Sequence, residues 1–357
     1  MINHSIRKLT GRQIVSLGLA GSCLAIGSLA ASNGSAMAAG RSVPHTVSRN
    51  LGINVQFYDW GYSKSQLSSN ATAIFKYVKS LHANSVAITI PFLLPSLTAD
   101  TVASGTWTPS PTRVGNVVKI AVKLGLHVML RPMADEANLR PSWRGAFNPS
   151  NASKWFPNYL LFLKPYLLMA QTDKVTSFDV GSELQGTYRN SLWSNLITIS
   201  KGWFKGGILV SGSWGNGNTV AMKGAASGID AYLPVLAPPS ASEATVLAGW
   251  NANLAKKRFP ASGPTTTLTE VGIAAQDGAY ANPNSVKVGT KTPIDAKIQT
   301  NWLTAACQFV NQHSLKGIYF WRLDIGSSPT LTPTTGNPTL FATSSVAEIK
   351  TCFSKTL

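Results

Sequence analysis

The sequence predicts a single-domain (β/α)8 TIM barrel. Eight short apolar segments rich in β-branched residues alternate with segments of helical apolar spacing, which is typical of a parallel sheet closed into a barrel. Two of the apolar segments end on glutamates, Glu183 and Glu270, which lie 87 residues apart. Three βα repeats between them would take 29 residues each, close to the roughly 30 expected per barrel unit. An open doubly wound sheet is the alternative, but no glycine-rich phosphate-binding motif follows the first strand.

The predicted strands are runs of Val, Ile, Leu, Phe and Thr bounded by turn residues. The run at residues 85–90 is almost continuous, as expected of a strand buried on both faces. The run at residues 175–182 leads into Glu183, so this glutamate is expected where a strand stops and a loop begins. The eight predicted strands are residues 51–57, 85–90, 126–131, 175–182, 208–213, 228–235, 265–271 and 317–323.

Between the strands, apolar side chains recur at helical spacing. Ile74, Val78 and Leu81, for example, share one face of the first predicted helix. Little room is left for a helix between the fifth and sixth strands. The predicted helices are residues 68–81, 112–124, 152–169, 192–203, 241–259 and 295–313, with a terminal helix from about residue 345.

The first 38 residues predict a cleaved signal peptide. Three basic residues precede the apolar, small-residue stretch 14–31, and Ala36-Met37-Ala38 supplies an A-x-A cleavage site. A membrane anchor is the alternative, but glycine and serine dilute the apolar stretch, and the small residues at its end favour cleavage.

The predicted organisation is therefore a signal peptide (residues 1–38), a polar leader (39–50) and one barrel domain (51–357). No later stretch is apolar for long enough to span a bilayer. The mature protein is expected to be secreted or extracytoplasmic, without a membrane span, and monomeric.

The chain is strongly basic, with a formal net charge of +17 that falls to +14 without the three positive charges of the signal peptide. Such a charge would attract nucleic acid or anionic polymers. The lysines and arginines are scattered and do not alternate with aromatic residues, so no nucleic-acid partner is expected. An acidic habitat and an anionic polysaccharide substrate both remain open as explanations of the charge.

Cys307 and Cys352 remain once the signal peptide is removed, and an even pair in an exported chain predicts a disulfide. Two separately buried thiols are the alternative. The histidines lie far apart and form no paired motif, so neither a metal site nor a cofactor is expected.

The two strand-end glutamates are the candidate catalytic residues. All strands of a barrel point their carboxyl ends at one face, so Glu183 and Glu270 are expected to meet there. Two carboxylates across a scissile bond are what glycoside hydrolysis requires, one to donate a proton and the other to attack or to activate water. The alternative is that each glutamate forms a structural salt bridge.

Other strand ends and loops carry aromatic and polar residues, which suit a sugar site because rings stack on sugars and polar groups bind hydroxyls. The candidate substrate-binding residues are Trp60, Arg131, Asp135, Trp143, Arg144, Trp214, Tyr232 and Trp321.

Six short motifs, in this order along the chain, resemble those of clan A glycoside hydrolases, most closely the endo-β-1,4-mannanases of family 113. They are Leu130-Arg131-Pro132, Trp143-Arg144-Gly145, Gly181-Ser182-Glu183-Leu184, Asp230-Ala231-Tyr232, Thr269-Glu270-Val271-Gly272 and Phe320-Trp321. There are departures: Ser182 stands where most of the clan has asparagine, and Met133 stands where an imidazole would reach a sugar hydroxyl.

The resemblance implies a retaining mechanism, with Glu183 as acid/base and Glu270 as nucleophile. It also implies that Tyr232 orients the nucleophile and that Trp143 and Arg144 line the cleft. Retention would place the two carboxyl groups about 5 Å apart.

The sequence thus predicts a secreted retaining glycoside hydrolase acting on a β-linked polysaccharide, similar to endo-β-1,4-mannanases. A non-catalytic carbohydrate-binding or cell-envelope-associated barrel that has lost turnover is the alternative.

Overall fold

The computed structural model describes residues 49–214, 222–256, 263–285, 288–330, 332–335, 339, 341 and 343–354. The predicted signal peptide, all but the last two residues of the predicted leader, and the last three residues of the predicted helix 241–259 lie outside the described residues.

Eight parallel strands close into a barrel in the order of the chain, which confirms the predicted fold. The first strand pairs with both the second and the eighth, so the sheet has no open edge. The strands are β1 (Asn50–Gln56), β2 (Ser85–Leu93), β3 (His127–Asp135), β4 (Ser177–Ser182), β5 (Gly207–Ser213), β6 (Ala226–Asp230), β7 (Thr266–Val271) and β8 (Gly317–Asp324).

Helices follow most of the strands and surround the barrel. They are α1 (Lys64–Ser80), α2 (Pro111–Lys123), α3 (Ala152–Thr172), α4 (Leu192–Trp203), α5 (Glu243–Ala255), α6 (Ala296–Gln312) and α7 (Val346–Ser354). The first helix begins four residues earlier than predicted because Ser63 and Gln66 form a capping box, in which each side chain accepts a hydrogen bond from the backbone of the other.

The strand β6 is shorter than predicted, since residues 231–235 follow it as a loop. The ladder between β6 and β7 reaches its end at the pair Asp230 and Glu270. The backbone then turns, and the Tyr232 N–H donates to the Asp230 carbonyl oxygen over 3.2 Å. Tyr232 therefore lies in a loop on the face where the strands end.

The barrel interior is layered. An apolar layer contains Met129 of β3, Leu209 of β5 and Tyr319 of β8. Two residues further along the first two of these strands stand Arg131 and Ser211, which face the same side because side chains alternate along a strand. Both are fully buried. A polar layer therefore lies directly above the apolar one, below the face where the strands end.

The disulfide between Cys307 and Cys352 is present and joins α6 to α7, as predicted. Among the described residues, no helix is both long enough and apolar enough to cross a membrane.

Reducing the Cys307–Cys352 disulfide should lower the free energy of unfolding by about 4 kcal/mol, because the bond closes a 45-residue separation and restricts the unfolded chain. Urea unfolding with and without reductant measures the loss. A protein with both cysteines replaced by serine should match the reduced protein and should not respond to reductant. Equal stability of the oxidised and reduced proteins would contradict this prediction.

Candidate active site

The two predicted catalytic glutamates lie on the face where the strands end. Glu183 follows the last residue of β4, and Glu270 is the fifth residue of β7. Both are nearly buried, with 8% and 3% of their surface exposed. The Arg144 Nη1 donates to Glu183 Oε2 over 2.9 Å, and the Tyr232 hydroxyl donates to Glu270 Oε2 over 2.9 Å.

Arg131 corrects one prediction, because it lies beneath the glutamates and does not line the cleft. Its side chain is fully buried, so it has no surface to offer a sugar. It forms ion pairs with Asp179 (3.1 Å), Asp230 (3.0 Å) and Glu270 (2.9 Å). Its remaining hydrogen bonds go to Asn54 Oδ1, the Thr269 carbonyl oxygen, Ser182 Oγ and Ser211 Oγ.

Burial raises the pKa of Glu183 to about 7, and the positive charges of Arg144 and Arg131 offset only part of that rise. A carboxyl group with that pKa holds a proton in weak acid and can lose it near neutrality. Those are the two states that a general acid/base must adopt.

Asp230 and Glu270 share Arg131, and burial raises the pKa of both. Both oxygens of Glu270 accept hydrogen bonds, from Arg131 and from Tyr232. Asp230 Oδ1 accepts from Arg131 and Thr269, but Oδ2 has no partner among the described residues. Hydrogen bonds to the charged form favour that form, so Glu270 is the ionised member of the pair and Asp230 keeps the proton.

A cleft of about 590 Å³ opens beside Arg144. Trp60 and Asp135 line it at the ends of β1 and β3, and Trp321 lines it from β8. The ring of Trp60 is 53% exposed and lies against Trp107, with ring centroids 4.6 Å apart.

The other two predicted tryptophans lie near this cleft in different settings. Trp214 packs against a small apolar cluster formed by Met133, Tyr232 and Trp321. Trp143 is half-buried, and its ring covers Gly145 so closely that a Cβ there would come within 2.3 Å of the ring. Gly145 thus allows this close approach of the ring.

Several residues of the site are not among the sequence-predicted site residues. Asp179 interrupts an apolar strand, and Asp230 is named only within a motif; a charged residue in such a strand signals a buried ion pair, but nothing in the sequence identifies Arg131 as the partner of either. Glu136, which pairs with Arg144 over 3.2 Å, belongs to a loop. Trp107 lies in a long connection without strong periodicity.

The arrangement suits chemistry that needs one protonated and one ionised carboxyl group on the same face. In the part of the chain that the structure describes, no group of three or more His, Cys, Asp and Glu side chains is arranged to hold a metal ion.

Comparison with known proteins gives a consistent result. The model of Glycoside Hydrolase Family 113 matches residues 58–329. A solved GH113 β-1,4-mannanase superposes with a TM-score of 0.69 at 16% identity, covering 86% of this chain and 99% of its own. The GH113 β-mannanase AaManA from Alicyclobacillus acidocaldarius gives 0.69 at 17% identity, covering 87% and 98%.

A more distant likeness is to the endo-β-1,4-mannanase of Thermotoga petrophila, with a TM-score of 0.54 at 11% identity, covering 87% of this chain and 77% of that one. At these identities the superpositions establish the fold alone. No curated protein sequence matches the chain.

The protein should be more stable in weak acid than in weak base. The pKa of Glu183 is about 7 in the folded protein against an ordinary 4.5, so the folded state binds more protons and stability falls as pH rises between these values. For Glu183 alone, the free energy of unfolding should fall by about 2 to 3 kcal/mol between about pH 5 and pH 8. Urea unfolding at both pH values measures it, and Glu183→Gln should remove that part of the slope. A free energy of unfolding that does not change between these pH values would contradict the raised pKa of Glu183.

Replacing Arg131 by methionine should lower the free energy of unfolding by about 3–5 kcal/mol, because it leaves buried carboxylates without their cation. The deficit should shrink as pH falls, since those carboxylates then take up protons. Arg322→Met is the matched control: its ion pair with Asp324 is about one-third exposed on both sides, and such pairs contribute only about 0–1 kcal/mol. Equal losses in the two variants, measured by urea unfolding, would contradict a central role for Arg131.

Proposed function

Because this chain belongs to Glycoside Hydrolase Family 113, we propose that it hydrolyses a β-linked, mannan-like polysaccharide with retention of configuration, using Glu183 as acid/base and Glu270 as nucleophile. The different settings of the two carboxyl groups carry this proposal. Burial raises the pKa of both carboxyl groups, but Glu270 accepts hydrogen bonds on both oxygens, from Arg131 and Tyr232, which favour its charged form, whereas Glu183 accepts one, from Arg144.

In the first step, the Glu270 carboxylate attacks the anomeric carbon as the glycosidic C–O bond breaks. Glu183 gives its proton to the departing oxygen. A covalent glycosyl–enzyme forms, and the negative charge of Glu270 disappears.

In the second step, water attacks the same carbon and the bond to Glu270 breaks. Glu183 is now ionised and takes a proton from the water. The loss of charge on Glu270 favours this reversal, because a neighbouring negative charge is one of the causes that raise a carboxyl pKa. Arg144, bonded to Glu183, supports its ionised form in this step.

The preference for a mannan-like polymer rests on the family and on the β-mannanases that share the fold. Aromatic and polar residues in one open cleft suit a sugar chain. The basic, apolar and small-residue segments at the start of the sequence support export.

Both Glu183→Gln and Glu270→Gln should abolish sugar release from mannan, glucomannan, cellulose and xylan wherever the wild-type protein is active. Glu243→Gln is the matched control, since Glu243 lies in the first turn of α5, a surface helix outside the cleft, and should keep full activity. Wild-type activity should fall above about pH 7, where Glu183 loses its proton. Reducing-sugar assays across pH measure each outcome, and NMR of the first anomer released tests retention.

Inversion at the anomeric carbon would overturn the nucleophile role of Glu270. A wild-type protein that is retarded by a polymer in affinity gels but releases no sugar would instead support the carbohydrate-binding alternative.

A further inference from the structure

Glu183 adopts an unusual backbone conformation. Its φ is +54°, in the left-handed region that residues with a Cβ rarely enter and that costs about 1–3 kcal/mol. Such a residue keeps its conformation only where the surrounding structure holds it. The turn that follows Glu183 supplies that support.

The backbone on both sides of Glu183 is bonded to one side chain, that of Tyr188. The Tyr188 hydroxyl accepts from the Leu184 N–H over 3.0 Å. It also lies within hydrogen-bond distance of two carbonyl oxygens that can take its proton, those of Gly181 (2.7 Å) and Ser211. Ser211 O is also the acceptor of the Glu183 N–H, at 2.9 Å. One hydroxyl therefore joins the residue after Glu183, the chain before it and its acceptor on β5.

Tyr188 is itself fixed in place. It is 4% exposed and packs edge-on against Trp193, with ring centroids 5.7 Å apart. The Trp193 Nε1 donates to the Thr187 carbonyl oxygen over 3.0 Å, and the Thr187 N–H donates to the Leu184 carbonyl oxygen over 2.9 Å. The tyrosine ring is thus held by α4 on one side and by the turn on the other.

We propose that Tyr188 is a positioning residue that holds Glu183 in its left-handed conformation and thereby aims the carboxyl group at the leaving oxygen. This inference rests on the proposed acid/base role of Glu183. Tyr188 touches neither substrate nor the reacting atoms.

Removing the Tyr188 hydroxyl leaves the Leu184 N–H without the bond described above, in a region that is almost closed to water. Without the hydrogen bonds of the Tyr188 hydroxyl, the backbone at Glu183 can relax toward an ordinary conformation. The carboxyl group then moves away from Arg144, and a displacement of about 1 Å can cost about a hundredfold in rate.

The chain provides a matched control in Tyr159. Its hydroxyl is likewise buried and donates to a carbonyl oxygen of β4, that of Val180, over 3.0 Å. Val180 lies three residues before Glu183, so this hydrogen bond does not hold the residues next to Glu183. The two variants Tyr159→Phe and Tyr188→Phe therefore each remove one buried hydroxyl that donates to a carbonyl oxygen of β4.

With the full-length protein, Tyr188→Phe should lower kcat on polysaccharide by about 10- to 100-fold while KM stays within about threefold. Tyr159→Phe should also lose stability in urea, by less because its hydroxyl makes one hydrogen bond and not three, but should keep kcat within about threefold. The loss in Tyr188→Phe should be smaller on aryl glycosides with activated leaving groups, which need less help from an acid. The alkaline limb of its pH–rate profile should shift, because a displaced Glu183 changes both its burial and its contact with Arg144, two of the causes that set its pKa.

Equal kcat values for the two variants, or an unchanged alkaline limb in Tyr188→Phe, would overturn the proposal. If the wild-type protein shows no turnover, the proposed function fails on its own. The positioning role is then decided by titrating 13C-labelled Glu183: its pKa should change in Tyr188→Phe and stay unchanged in Tyr159→Phe, and unchanged values in both would refute the role.

Discussion

The site depends on the burial of one guanidinium, that of Arg131, inside the barrel. Removing a charge from water costs several kcal/mol per ion unless partners replace the solvent. Arg131 has such partners on every side, since its ion pairs and hydrogen bonds reach five other strands. The barrel makes this possible because only a closed sheet directs side chains from strands far apart in sequence at one point. In turn, Asp179, Asp230 and Glu270 can be charged or share protons there only because the cation is present.

One cation cannot balance three carboxylates in a buried site. This charge imbalance determines which carboxyl group holds a proton. Asp179 accepts hydrogen bonds on both oxygens, from Gly181 N–H and from Arg131 and Ser211. Glu270 is also well supplied with donors, whereas Asp230 Oδ2 has none among the described residues. Asp230 therefore carries the proton. This division favours a charged Glu270, as the proposed nucleophile role requires, in a site that burial alone would keep neutral.

The sequence predicted the barrel and both glutamates because strand ends are marked by local patterns and the topology carries them to one face. It misplaced Arg131 because the predicted third strand ends at residue 131, whereas β3 runs on to Asp135. Arg131 therefore lies four residues below the end of its strand, beneath the cleft. The role of the Tyr188 hydroxyl could not be predicted for another reason. Its hydrogen-bond partners are backbone atoms, which every residue type carries, so the sequence does not identify them.

The same structure bears on the basic charge of the protein. Of its 14 acidic residues, seven lie in the cleft or beneath it: Asp135, Glu136, Asp179, Glu183, Asp230, Glu270 and Asp324. The cleft wall itself carries three arginines, Arg140, Arg144 and Arg322, against three carboxylates, Asp135, Glu136 and Asp324. Its formal charges balance, so the net charge, +17 for the whole sequence and +14 for residues 39–357, resides outside the cleft wall. Because the wall carries no net charge, it gives no support to an anionic polymer as the substrate.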